Sequence, residues 1–142
     1  MSYLLDTNFV SELRRSKRQA EPTIRTWVSG RKPSDLYLSA ITVLEVELSI
    51  ARLGRRDTVQ AERLQTWLED DLLAVFGGRV LPIDLPVARR AARFHVPDPR
   101  PERAALTAAT AIVHAPTMVT RNTTDFDSTG VALINPWDDL RI

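Results

Sequence analysis

Five short apolar or β-branched segments, each bounded by breakers and separated by stretches of helical periodicity, constrain this chain more than any other feature. Tyr3-Leu5, Leu36-Leu38, Val80-Pro82, Thr117-Thr120 and Val131-Leu133 read as strands. Helical stretches fall at Asn8-Arg15, Pro22-Ser29, Val43-Leu53, Thr58-Phe76, Pro86-Phe94 and Arg103-His114. Strands that alternate with helices predict a parallel sheet covered on both faces and wound by right-handed crossovers, an α/β architecture. The breaker run Pro97-Asp98-Pro99-Arg100-Pro101 predicts a rigid turn before the Ala-rich helix. No repeat or linker divides the chain, so the expectation is a single domain over residues 1–142.

Composition narrows the chemistry. With no cysteine, thiolate zinc sites, redox pairs and cysteine nucleophiles are excluded. No apolar run approaches the roughly 20 residues of a membrane span. The N-terminal apolar stretch is ended by Asp6, which predicts a cytoplasmic chain rather than an exported one. A net charge of +1 does not announce a nucleic-acid binder. Distribution says more: Arg14, Arg15, Lys17, Arg18, Arg25, Arg31 and Lys32 crowd the N-terminal quarter, where either a phosphate-facing patch or an ordinary solvated surface would account for them.

Three groups of polar residues fall at strand ends. Asp6 stands between the first strand and a helix, at the carboxyl edge where parallel α/β sheets bind ligands; it equally fits a helix cap. Glu45 and Glu47 follow the second strand. Helical periodicity makes Glu47, between Val43 and Ala51, the odder of the two, while Thr42-x-x-Glu45 fits a capping box. Asn122 and Asp125 follow the fourth strand, where Asx residues are also normal turn formers. If the strand order is 3-2-1-4-5, the first and fourth strands are neighbours, and Asp6 and Asn122 flank the switch-point crevice.

Taken in order, Tyr3-Leu4-Leu5-Asp6-Thr7-Asn8, Leu38-Ser39-Ala40-Ile41-Thr42-Val43-Leu44-Glu45, Ala105-Leu106-Thr107-Ala108-Ala109-Thr110-Ala111, Met118-Val119-Thr120-Arg121-Asn122 with Asp125-Phe126, and Asn135-Pro136-Trp137 resemble the PIN-domain toxins of VapC and FitB type. The resemblance spans nearly the whole chain. It implies a three-layer fold and a Mg²⁺- or Mn²⁺-dependent endoribonuclease, usually a homodimer, held inactive by a cognate antitoxin of VapB type. Carried over by position, Asp6 and Glu45 are the metal-binding acids, and Asn122 and Asp125 belong to the last polar cluster. Thr120 would donate to a ligand; Asn8 would orient Asp6 or serve the first helical turn.

The resemblance also exposes a departure. Family members carry Asp where this chain has Ala104, so one principal ligand is lost and weak metal binding with little cleavage is expected. Three accounts stay open: a substitution introduced to tame a toxic nuclease, decay to an inert module that binds antitoxin or RNA, or replacement of the acid by Asp98 or Glu102. On a helix, Glu102 would point elsewhere.

Clustered carboxylates repel unless a cation neutralises them, and hard oxygen donors suit Mg²⁺ or Mn²⁺. The implied reaction is metal-assisted, in-line hydrolysis of an RNA phosphodiester, with no need of His95 or His114 as a base. Trp27, Trp67 and Trp137 read as core or interface anchors. A phosphohydrolase of haloacid dehalogenase type is the rival enzyme, but it wants Asp-x-Asp where this chain has Asp6-Thr7-Asn8.

Overall fold

The computed structural model describes residues 1–15 and 21–139. Lys17 and Arg18, part of the basic cluster noted above, lie outside the described residues.

Strand β1 (Tyr3–Leu5) is central because every residue in it is buried, a burden that only an inner strand carries. It pairs in parallel with β2 (Leu36–Ser39) on one side and β4 (Thr117–Val119) on the other. With β3 (Val80–Leu81) outside β2 and β5 (Leu133–Ile134) outside β4, the sheet has the order 3-2-1-4-5. Alternation along β1 divides the core: Tyr3 and Leu5 join the larger apolar cluster, whereas Leu4 joins the cluster on the opposite face with Met118 and Ala108.

The larger cluster is covered by α1 (Thr7–Arg14), α2 (Pro22–Ser29) and the helical run after residue 57. Trp27 stands edge-on to Tyr3 and Phe9 at centroid distances of 5.1 and 5.6 Å, and Phe9 meets Trp137 in the same way at 5.9 Å. Two of the three tryptophans are thereby core anchors. The other face is covered by α7 (Glu102–His114), whose alanines let it lie close to the sheet, and by α6 (Leu85–Arg93) packed against α7.

Several boundaries differ from expectation. Helix α3 (Ala40–Leu53) begins three residues before Val43, because Ser39 Oγ accepts the Ile41 amide at 3.0 Å and so caps it. β5 lies two residues beyond the predicted Val131-Leu133 start, with Leu133 opposite Met118. β3 stops before Pro82, which has no N–H to give the ladder. The helix predicted over 58–76 is α4 (Thr58–Thr66), a π-helical turn Trp67–Leu72 and α5 (Leu73–Phe76). Its Leu68, Leu72 and Phe76 are spent on the chain's own core, leaving Val59 and Val75 exposed. Short helices α8 (Thr123–Phe126) and α9 (Pro136–Asp139) were not signalled by periodicity. Among the described residues, no helix is long and apolar enough to cross a membrane.

Candidate active site

The β1 and β4 ends carry the chain out at the carboxyl edge side by side, and the Asp6 amide extends their ladder by donating to Val119 O at 2.9 Å. Asp6 is the N-cap of α1: its Oδ1 accepts the Thr7 amide at 2.8 Å. Capping and site placement, posed as alternatives from sequence, are both present in the one residue. Its other oxygen, Oδ2, accepts from Thr120 Oγ1 at 2.8 Å and from Asn8 Nδ2 at 3.4 Å. Thr120, fully buried, in turn accepts from Asn8 Nδ2 at 3.2 Å and from the Asn122 amide at 3.0 Å. Asn8 and Thr120 therefore stand behind the carboxylate and fix its plane.

From α3, Glu45 reaches the same place. Its Oε1 accepts from Thr7 Oγ1 at 2.7 Å, and its Oε2 lies 3.6 Å from the Arg103 guanidinium. Thr42, which a capping box would put at the helix start, is instead buried inside the helix with its hydroxyl 3.0 Å from that of Thr7. The capping-box reading of Glu45 is thus overturned, Ser39 having taken the cap. Glu47 is exposed, because the arc of α3 around Leu44 and Ala51 faces away from the core, which Thr42 and Val46 contact instead.

Asp6, Glu45, Asn122 and Asp125 line one cleft of about 520 Å³, and Ala104 and Thr107 of α7 form its wall. Four carboxylates, counting Glu102, face a single guanidinium, Arg103, among the residues that line it. Burial pushes the Asp6 carboxyl above its ordinary range; the hydrogen bonds from Thr120 and Thr7 pull it back, and the charges of Glu45 and Asp125 add to the rise. Among the described residues, no three His, Cys, Asp or Glu side chains stand close enough to cage a metal ion. The oxygen donors nonetheless suit a hard divalent ion that keeps most of its waters, which one or two carboxylates suffice to hold.

The candidate replacements for the acid at 104 fare differently. Asp98 is exposed and does not line the cleft. Glu102 stands on the rim rather than pointing wholly elsewhere, its side chain 75% exposed and 3.9 Å from His95 Nε2. Neither histidine lines the cleft; His114 faces Asp84 at 3.3 Å.

Comparison with known proteins identifies the family. The PIN domain family model matches residues 3–131. Toxin FitB of Neisseria gonorrhoeae is 41% identical over 96% of this chain and 99% of its own length. The chain belongs to the PIN-domain family. VapC ribonuclease Y4jK of Sinorhizobium fredii is 34% identical, covering 95% of this chain and 97% of its own. The crystal structure of FitAcB from Neisseria gonorrhoeae superposes on this PIN domain with a TM-score of 0.85 at 36% identity, over 95% of this chain and 98% of that one.

Sequence reasoning missed Thr7 and Arg103. Thr7 lies inside the Asp6-Thr7-Asn8 motif and carries a signal of its own: a hydroxyl beside the capping acid, one helical residue from the cleft. Arg103 gave none, since only the fold brings α7 to α3. The described members of the N-terminal basic cluster do not form one patch either. Arg15 pairs with Glu12 at 3.5 Å and Arg31 lies over the Trp27 ring at 4.5 Å, while Arg14 lines a separate groove with Arg52 and Arg103.

Proposed function

We propose that this PIN domain is the toxin of a toxin–antitoxin pair, an endoribonuclease dependent on Mg²⁺ or Mn²⁺, impaired here because Ala104 stands where the third acid belongs. The observation that carries the reading is that Asp6, Glu45, Asn122, Asp125 and residue 104 share one open cleft. A polyanionic RNA would be repelled by that cleft's excess of carboxylates, so a cation must enter first. Asp6 and Glu45 are the residues that would hold it, with Asn122 and Asp125 orienting its waters. When bound, such an ion supplies Lewis acidity at a phosphoryl oxygen and makes water more acidic.

The chain's own residues do the positioning. Thr120 and Asn8 keep the Asp6 carboxylate facing outward, and Thr7 holds Glu45 against it. Arg103, paired with Glu45, is free to turn its remaining donors to a phosphate. An antitoxin of VapB type and a homodimeric assembly accompany this reading; the relative named a toxin supports the first. A cytoplasmic location follows from an RNA substrate.

The test compares the chain with its Ala104→Asp variant for cleavage of pooled cellular RNA, with Mg²⁺ and with chelator. The variant is expected to cut only with the ion, and the chain as it stands to cut little. Equal inactivity of both would sink the missing-ligand account and favour the second reading, an inert PIN-fold module that binds antitoxin or RNA. What favours that second reading is the occupation of Glu45 by Arg103. The dehalogenase-type alternative lacks the second acid of its Asp-x-Asp motif, because Asn8 takes that place and stands behind Asp6; turnover of small phosphomonoesters without RNA cleavage would revive it.

A further inference from the structure

Beside the acidic cleft runs a second groove of about 330 Å³, and the two share Glu45 and Arg103. Its chemistry is the reverse. Arg14 from α1, Arg52 from α3 and Arg103 from α7 line it, with Glu45 the only carboxylate among the lining residues. Trp67 forms part of its wall, half-buried, with the Arg14 guanidinium 6.0 Å from its ring centroid. Leu48, Val46 and Leu64 supply apolar surface, and Thr7, Ser11 and Ser49 supply hydroxyls. The π-helical turn begins at Trp67 itself, and π-turns inside helices occur frequently at functional sites.

We propose that this groove binds the single-stranded RNA segment next to the phosphodiester in the acidic cleft, with one base stacked on Trp67 and its flanking phosphates held by Arg14, Arg52 and Arg103. The inference rests on the nuclease reading for what lies in the neighbouring cleft, but not for the groove's own affinity. Stacking platforms combined with guanidiniums are how proteins hold single strands without reading sequence. Charge decides the occupant: three guanidiniums against one carboxylate fit a polyanion. Arg103 is the joint between the two sites. Unliganded, it neutralises Glu45; with a strand in place it bridges from Glu45 to phosphate, so that filling the groove and positioning the scissile bond are coupled.

The groove is tested on the full chain, in chelator, with a fluorescein-labelled mixed-sequence RNA of single-stranded form, by anisotropy over a series of KCl concentrations. Arg14→Ala and Arg52→Ala, both at exposed positions, are each expected to lower the slope of log affinity against log salt by about 0.7. Trp67→Leu should weaken binding between about 5- and 150-fold, and Trp67→Phe should recover part of the loss. Thermal melts of each variant establish that it is folded. Unchanged slopes and affinities in the arginine variants would overturn the proposal. So would RNA affinity left intact while sedimentation shows an altered oligomeric mass, the signature of a protein interface. The same substitutions in the Ala104→Asp background, with Mg²⁺, separate the two readings. Cleavage with undiminished affinity in the groove variants refutes the groove and keeps the nuclease; lost affinity in them, with Ala104→Asp itself cutting nothing, keeps the groove and refutes the nuclease.

Discussion

Thr120→Val replaces a fully buried hydroxyl by a methyl of nearly the same shape, and the structure says what that costs. The hydroxyl donates to Asp6 Oδ2 at 2.8 Å and accepts from Asn8 Nδ2 at 3.2 Å and the Asn122 amide at 3.0 Å. A hydrogen bond to a charged group contributes about 1.5–3 kcal/mol. The Asn122 amide, closer to solvent, can turn to water and adds about 0.5 kcal/mol or less. The expected loss is therefore about 2–3 kcal/mol, which for a chain of this size lowers Tm by roughly 6–10 °C. Thr120→Ser, which keeps the hydroxyl and deletes one buried methyl, should cost about 1 kcal/mol. Both are read by thermal unfolding near neutral pH. Because the Thr120 bond also holds the Asp6 pKa down, the valine variant's deficit should shrink as acid protonates that carboxyl. A fall of less than about 2 °C for the valine, or a serine variant as unstable as the valine, would refute the claim that this hydroxyl organises the site.

Other consequences are equally measurable. The folded-state pKa of Asp6 is raised above its ordinary 3.8, so the group's contribution to stability is fully present below that pH and is lost as pH rises through the folded value. Asp6→Asn, which keeps the cap but cannot titrate, is the reference: on acidification the Tm of the chain should rise relative to that of the variant, and a relative fall would reverse the sign and the argument. Ala115 closes α7 with φ of 69°, a conformation that costs an L-residue about 1 kcal/mol, so Ala115→Gly should raise Tm by a few degrees. Ala104→Asp adds a carboxylate to an acidic wall and should destabilise by about 1–2 kcal/mol in chelator. Added Mg²⁺ should recover that loss in the variant and barely move the parent, and identical Mg²⁺ responses would count against residue 104 as a ligand position.

Much of this was legible in the residues because burial leaves a local mark. A three-residue strand such as Tyr3–Leu5, buried on both faces, reads as an unbroken apolar run, and Asp6 after it reads as an edge. The sheet order follows from crossovers and the resemblance together. Glu45 was harder. Helical periodicity favoured Glu47, since the wheel assumes that apolar neighbours mark the core, whereas Leu44 is 48% exposed. Ser39 as the true cap was missed because helical periodicity places the start only at Val43, four residues after it, and Ser39 itself is the last residue of β2. Arg52 and Arg103 could not be joined to Arg14 from sequence at all, for their meeting depends on the packing of three helices.

On the proposed reading, in which position 104 calls for an acid, the fold tolerates the loss. The carboxylates on the sheet side are tied into the structure: Asp6 caps α1 and is held by Thr120, and Glu45 is held by Thr7. Replacing either leaves polar partners without a mate. Position 104 has no such ties. It sits half-buried in the first turn of α7, while the packing of that helix is carried by Ala105, Ala108, Ala109 and Ala111, all nearly or fully buried. An acid there repels Asp6, Glu45 and Asp125 and contributes nothing to the core, so its removal relaxes the cleft electrostatically. On the proposed nuclease reading, the folding free energy and the charge needed for catalysis therefore make opposite demands at this one position. A chain can lose the acid without losing its fold, and restoring the acid is the change that separates an impaired nuclease from an inert one.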